Sequence, residues 1–164
     1  MITFSSLLPE HWQAVKTIYE EGIRTGNATF EQSAPDWEEW NNSHLAHSRI
    51  VAIVDDEIVG CAALTQVSGR CVYAGVAEVS VYVAEKFWRQ KIGNALLHEL
   101  IKKSEANNIW TLQAGIFREN KASIKIHEAN GFRVVGFREK IGQMNGVWRD
   151  TILMERRSSV IGIK

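Results

Sequence analysis

AGVAEVSVYVAEKFWRQKIGNALLHELIKKSEANNIWTLQAGI, from Ala74 to Ile116, carries two hydrophobic periods in succession, and the change between them sets the fold. From Ala74 to Val83 the period is two. Ala77, Val79, Val81 and Val83 fall on one face of a strand, and Glu78, Ser80 and Tyr82 on the other, so a single acid sits within an otherwise uncharged strand. From Lys91 to Glu105 the apolar residues Ile92, Leu96, Leu97, Leu100 and Ile101 recur at helical spacing and form one stripe. Ile109 to Ile116 is again a strand. Strand, helix and strand in this order predict a right-handed crossover that lays the two strands side by side and parallel.

Working outward, Ile2 to Phe4 is a short strand candidate, and Pro9 opens an amphipathic helix through Trp12, Val15, Ile18, Tyr19 and Ile23. Gly22 to Gln32 reads as a surface loop, the kind of segment that carries ligand contacts. Asp36 caps a second helix through Trp37, Trp40 and Leu45, and Arg49 to Val54 and Glu57 to Gln66 form a hairpin turned at Asp55-Asp56. On the C-terminal side, Asn120 to Asn130 is a helix ended by Gly131, Phe132 onward is strand, and Asn145-Gly146 turns it into Val147 to Arg156. The order β α α β β β α β α β β predicts one α+β domain over residues 1–157, with a tail at 158–164.

The 164 residues carry 19 basic and 19 acidic side chains, so no net field draws the chain to nucleic acid or anionic lipid. With 45% hydrophobic and 23% charged residues the composition is that of an ordinary globular protein. Cys61 and Cys71 form neither a disulfide framework nor a metal motif, and the N-terminal residues lack an export signal, which together predict a cytoplasmic protein. His44 and His47 lack a third ligand, so no metal is expected.

Three places could carry chemistry. At Phe87 to Leu97 a strand gives way to a helix start whose free N–H groups, with Arg89 and Lys91 beside them, could seat phosphate oxygens or simply face solvent. The Walker and dinucleotide glycine patterns are both absent. Glu78 is a proton acceptor if it lines a cleft, or a hydrogen-bonded strand residue if it does not. Asn120 and Ser123 can cap a helix or bind polar groups, and His127 is either a core residue or a participant. The six tryptophans read as core or rim packing, with Trp148 a candidate pocket wall.

Taken in order, IYEEGIRTGNATFE (Ile18 to Glu31), AEVSVYV (Ala77 to Val83), the Phe87 to Leu97 junction, ENKASIKIHEANGF (Glu119 to Phe132) and GVWRD (Gly146 to Asp150) resemble the GNAT acyltransferase superfamily, in its phosphinothricin and methionine sulfoximine N-acetyltransferase branch. The resemblance implies a mixed, mostly antiparallel sheet with helices on both faces, whose fourth and fifth strands splay apart around the pantetheine of acetyl-CoA. It implies main-chain contacts at Val81, Tyr82 and Val83, pyrophosphate at Arg89, Gln90, Lys91, Ile92, Gly93 and Asn94, and a far wall at Asn120 and Ser123. Glu78 would deprotonate the acceptor amine, and His127 stands where relatives place a tyrosine that protonates the departing thiolate, so that it would serve either as that acid or as a group that only positions the thiol.

Phe30 and Glu31 would lie over the acceptor, with Arg70 and Tyr73 near its carboxylate. Acetyl-CoA is the implied co-substrate and a small amino acid or analogue the implied acceptor; independently of the resemblance, Trp and Ile residues near the hairpin and tail predict a homodimer. A catalytically weak acyl-CoA sensor of the same fold is the alternative. The chain departs from the family at Trp88 and Lys91, where Gln or Arg and then Gly are usual; a side chain at Lys91 is accommodated if that residue is already helical. It departs again at Gln143 and Met144.

Overall fold

In the computed structural model, which describes residues 1–164, the chain runs β1 (Thr3–Ser6), α1 (Trp12–Arg24), α2 (Trp37–Ser43), β2 (Ile50–Val54), β3 (Glu57–Gln66) and β4 (Val76–Val83). It continues with α3 (Ile92–Ala106), β5 (Thr111–Phe117), α4 (Lys121–Ala129), β6 (Arg133–Met144) and β7 (Val147–Arg157). This is the expected order. Most boundaries shift by one or two residues, and two of the differences have a specific cause. Gly22 to Arg24 belong to α1, because the helix continues until Thr25 folds its hydroxyl back onto the Gly22 carbonyl at 2.7 Å. Leu45 lies outside α2, because His44 turns extended and stacks its ring on Trp40, 4.1 Å between centroids. At the other end of α2, Asp36 accepts from the Glu39 N–H at 2.9 Å, the expected cap.

The seven strands lie in the order β1-β2-β3-β4-β5-β7-β6, and only the β4–β5 pair is parallel. Alternation along β2 and β3 sends side chains to two cores. Ile50, Ala52, Val59 and Leu64 face α3, whose Leu96, Leu97 and Leu100 are fully buried against them with Leu112 and Met154. Burial of each such leucine stabilises the fold by about 1.5–3 kcal/mol. Val51, Cys61 and Ala63 face the opposite way, against Trp12, Val15 and Trp40. One sheet thus separates α3 from α1 and α2. The core reading of tryptophan holds for Trp12 and Trp40, whereas Trp88 and Trp148 are exposed.

Candidate active site

The β4–β5 ladder is three residues long, Val76 to Glu78 against Thr111 to Gln113. Past Glu78, β4 stays paired with β3 as far as Val83 while β5 stays paired with β7 as far as Phe117, so the strands part. Main-chain groups alternate sides along a strand, and two bonds fix the phase of β4. The Ala84 N–H donates to Val59 on the β3 side at 2.8 Å, and the Trp88 indole Nε1–H donates to the Val83 carbonyl at 2.8 Å. The odd-numbered residues of β4 therefore turn their main chain into the fork. No strand faces the N–H and C=O of Val81 or the N–H of Val83, and exposed strand backbone of this kind is what an extended amide-bearing ligand pairs with.

A cavity of about 430 Å³ occupies the fork. Glu78, Val81, Tyr82, Asn120, Ser123 and His127 all line it, and Phe30 and Glu31 close it from the α1–α2 loop. Glu78 stands at the apex, the last paired residue of β4, half-buried, with Oε1 accepting from Gln113 Nε2 at 3.4 Å. Across from it is Gly115, where a Cβ would lie in ordinary contact with that oxygen at 3.7 Å. Tyr82 lies on the same face of β4 as Glu78, toward α1, its ring edge-on to Tyr19 at 4.8 Å.

His127 is buried, and its Nδ1 lies 2.7 Å from the Ser123 carbonyl. A carbonyl can only accept, so Nδ1 carries the hydrogen and Nε2 is left as an acceptor. That Nε2 is buried without a partner. Burial, opposed by the Ser123 carbonyl bond, pushes the ring's pKa below its ordinary value and favours the neutral form. Asn120 caps α4 through the Ser123 N–H at 3.2 Å and also donates to the Asn27 carbonyl at 3.1 Å, joining α4 to the α1–α2 loop.

Before α3, Arg89 and Lys91 both have left-handed backbones, φ 65 and 64. Lys91 is therefore the N-cap rather than a helical residue, which corrects the expectation that its side chain is accommodated in the helix. No side chain caps α3, and the main-chain N–H groups of Arg89, Gln90 and Lys91 make no hydrogen bond. Alternating left-handed residues turn successive N–H groups inward as an anion-binding concavity, continued by the free N–H groups at Ile92, Gly93 and Asn94. At Gly93 a Cβ would come within 3.2 Å of the end of the Ile126 side chain, which would have to shift to admit it.

Arg70 and Tyr73 sit together in an exposed turn between β3 and β4, the guanidinium 5.5 Å from the ring centroid, and line neither large cavity. The cation on the fork is Arg138 of β6, with Ile141 beside it. Neither had a local signal, since β6 reaches the fork only through the sheet order β5-β7-β6. Arg149 lies within the GVWRD stretch, which by itself gives it no role. It donates to the Gly26 carbonyl at 2.8 Å and to Asn27 Oδ1 at 2.7 Å, and lies 4.1 Å from the Phe117 ring centroid. Phe117 in turn meets Phe30 edge-on at 4.7 Å. No group of three or more metal-ligating side chains is present, and no helix is long and apolar enough to cross a membrane.

Residues 12–132 match the Acetyltransferase (GNAT) family. A phosphinothricin N-acetyltransferase of Alcaligenes faecalis is 34% identical over 87% of this chain and 76% of its own length. An L-methionine sulfoximine/L-methionine sulfone acetyltransferase of Pseudomonas aeruginosa is 25% identical over 86% of both chains. The crystal structure of a GNAT superfamily phosphinothricin acetyltransferase from Sinorhizobium meliloti in complex with acetyl-CoA superposes with a TM-score of 0.86 at 26% identity, covering 95% of this chain and 88% of that one.

Proposed function

The chain belongs to the GNAT acetyltransferase family, and from that premise we propose that it transfers the acetyl group of acetyl-CoA to the primary amine of an amino acid or an analogue such as phosphinothricin or methionine sulfoximine. The fork accommodates the donor: the pantetheine arm pairs with the free main chain of Val81 and Val83, and the pyrophosphate rests on the N–H groups from Arg89 to Asn94, with Lys91 and Arg89 adding charge. The acceptor arrives as an ammonium and must lose a proton before its nitrogen can attack the thioester carbon. Glu78, half-buried at the apex, takes that proton, directly or through a water. The amine then adds to the carbonyl, the tetrahedral oxyanion is held by a free N–H of β4, and collapse breaks the C–S bond while the extra proton on nitrogen passes to the departing sulfur, directly or through a water, leaving a neutral amide and the CoA thiol.

Of the two parts open to His127, acid or positioning group, we take the second. A neutral ring whose Nδ1–H is committed to Ser123 presents an acceptor at Nε2, which fits it to hold a thiol S–H in place. Proton donation to the thiolate would need the imidazolium, which burial opposes. For assembly we favour a homodimer, since the edge strand β6 leaves Val135, Phe137 and Ile141 exposed and β7 adds Val147 and Trp148.

The observation that carries this reading is a forked parallel pair with a carboxylate at its apex. Thiol release from acetyl-CoA across a panel of amino acids, phosphinothricin, methionine sulfoximine and polyamines tests the activity. Glu78→Gln is expected to keep acetyl-CoA affinity and slow transfer by about 10²- to 10⁴-fold. A variant as fast as the wild type at neutral pH removes Glu78 as the base.

A further inference from the structure

A second cavity, of about 450 Å³, lies on the α1–α2 side of the sheet and shares Glu31, Ser80 and Tyr82 with the fork cavity. Its size is that of a small-molecule site. The void has a simple origin in sequence: β3 supplies only the small residues Cys61, Ala62 and Ala63 as a floor, while α1 and α2 raise aromatic walls around it. Trp12 and Trp40 form one wall, 5.5 Å between ring centroids, and Tyr19 and Tyr82 the other.

The charges are one-sided. Glu31 and Glu39 stand exposed among its lining residues, and neither lysine nor arginine lines it. Burial, with the charge of Arg49 adding to it, lowers the pKa of His44 and favours its neutral form. The thiol of Cys61 is pushed up to about 12 by burial and stays neutral as well. Arg49 lies behind Trp40, where its donors are taken by the carbonyls of Asn41, His44 and Leu45. An anionic group entering this space would leave water for aromatic faces and two carboxylates, with no cation to receive it. An aromatic ring would find apolar walls and edge-to-face partners.

We infer that this second cavity receives the acceptor's side chain and selects an aromatic one, so that acceptors such as L-phenylalanine are preferred over those with an anionic side chain such as phosphinothricin. The inference rests on the acetyltransferase reading. Successive residues on one face of β4 place Ser80, on the shared wall, about 7 Å from Glu78. An α-amino group can therefore reach Glu78 while its side chain occupies the second cavity.

Two readouts separate this inference from the activity itself. In the first, thiol release gives kcat/KM for L-phenylalanine, glycine and L-phosphinothricin. The expected order places L-phenylalanine at least about tenfold above L-phosphinothricin, since even one methylene in an apolar pocket is worth about 10- to 200-fold. Ala63→Leu, which fills the floor, is expected to lower the L-phenylalanine to glycine ratio about tenfold. Ser43→Phe at the exposed rim serves the same purpose should Ala63→Leu fail to fold. The second readout is quenching of Trp12 and Trp40 fluorescence by L-phenylalanine, which needs no turnover.

Transfer with L-phosphinothricin equal to or better than L-phenylalanine overturns the inference and leaves the acetyltransferase reading standing. An L-phenylalanine to glycine ratio unmoved by the folded filling variant overturns it too. No transfer to any acceptor removes the activity; quenching that the filling variant abolishes then still supports the cavity, and no quenching ends the inference.

Discussion

At Lys91 a side chain occupies a left-handed backbone, φ 64, that glycine would adopt without strain. For an L-residue the conformation costs about 1–2 kcal/mol, and here it aims N–H groups at the phosphate seat. Lys91→Gly is expected to raise Tm by about 2–4 °C for each kcal/mol relieved while weakening acetyl-CoA binding through the lost charge; an unchanged or lower Tm would show that Lys91 is unstrained. Sequence showed the missing glycine but not the conformation, because φ at a loop residue is set by the strand and helix it must join. His127 makes a second prediction. Burial lowers its pKa from 6.5, as it does for His44 and His47. The unfolded chain then binds protons as pH falls through 6.5 while the folded chain does not, so this contribution to stability is full above that pH and declines below it. Tm should fall between about pH 6.5 and pH 5, and His127→Gln should make the decline shallower; an equal slope in the variant would deny His127 a share.

The elements were legible where a period was. Alternation in Val76–Val83 and the leucine stripe of α3 act over many residues and outvote any local conflict, so both emerged with boundaries within two or three residues of the expected ones. Glu78 could be singled out because a lone acid on an apolar strand has few partners of its own. The loop after α1 was harder, since what fixes it comes from the far end of the chain. Arg149 of β7 holds Gly26 and Asn27 and rests on Phe117, against which Phe30 packs. Gly142 completes the seat, because a Cβ there would come within 2.9 Å of the Phe30 ring. Arg149→Ala should loosen this loop and raise the acceptor KM about tenfold, a loss within the ~1.5–3 kcal/mol of charged hydrogen bonds, with a smaller change in kcat; Arg149→Lys should recover part of it. Equal loss in kcat and KM for acetyl-CoA would point to a general structural role instead.

Across the whole molecule, the β4–β5 fork is where long-range order makes a site from separate weak signals. β4 is held by β3, β5 by β7, and α3 is the crossover that joins them in the chain, so the two strands are fixed apart by their outer partners. Order β5-β7-β6 then brings Arg138 to the fork from a hairpin whose Asn145-Gly146 turn was legible but whose place beside the fork was not. Amide hydrogen exchange along β4, with and without acetyl-CoA, tests the central claim most directly. The account predicts that acetyl-CoA slows exchange at Val81 and Val83, whose N–H groups face the fork, and at Gln90 to Asn94. Tyr82, already paired with β3, should change little. Protection elsewhere with Val81 and Val83 exchanging as in the free protein would contradict the account.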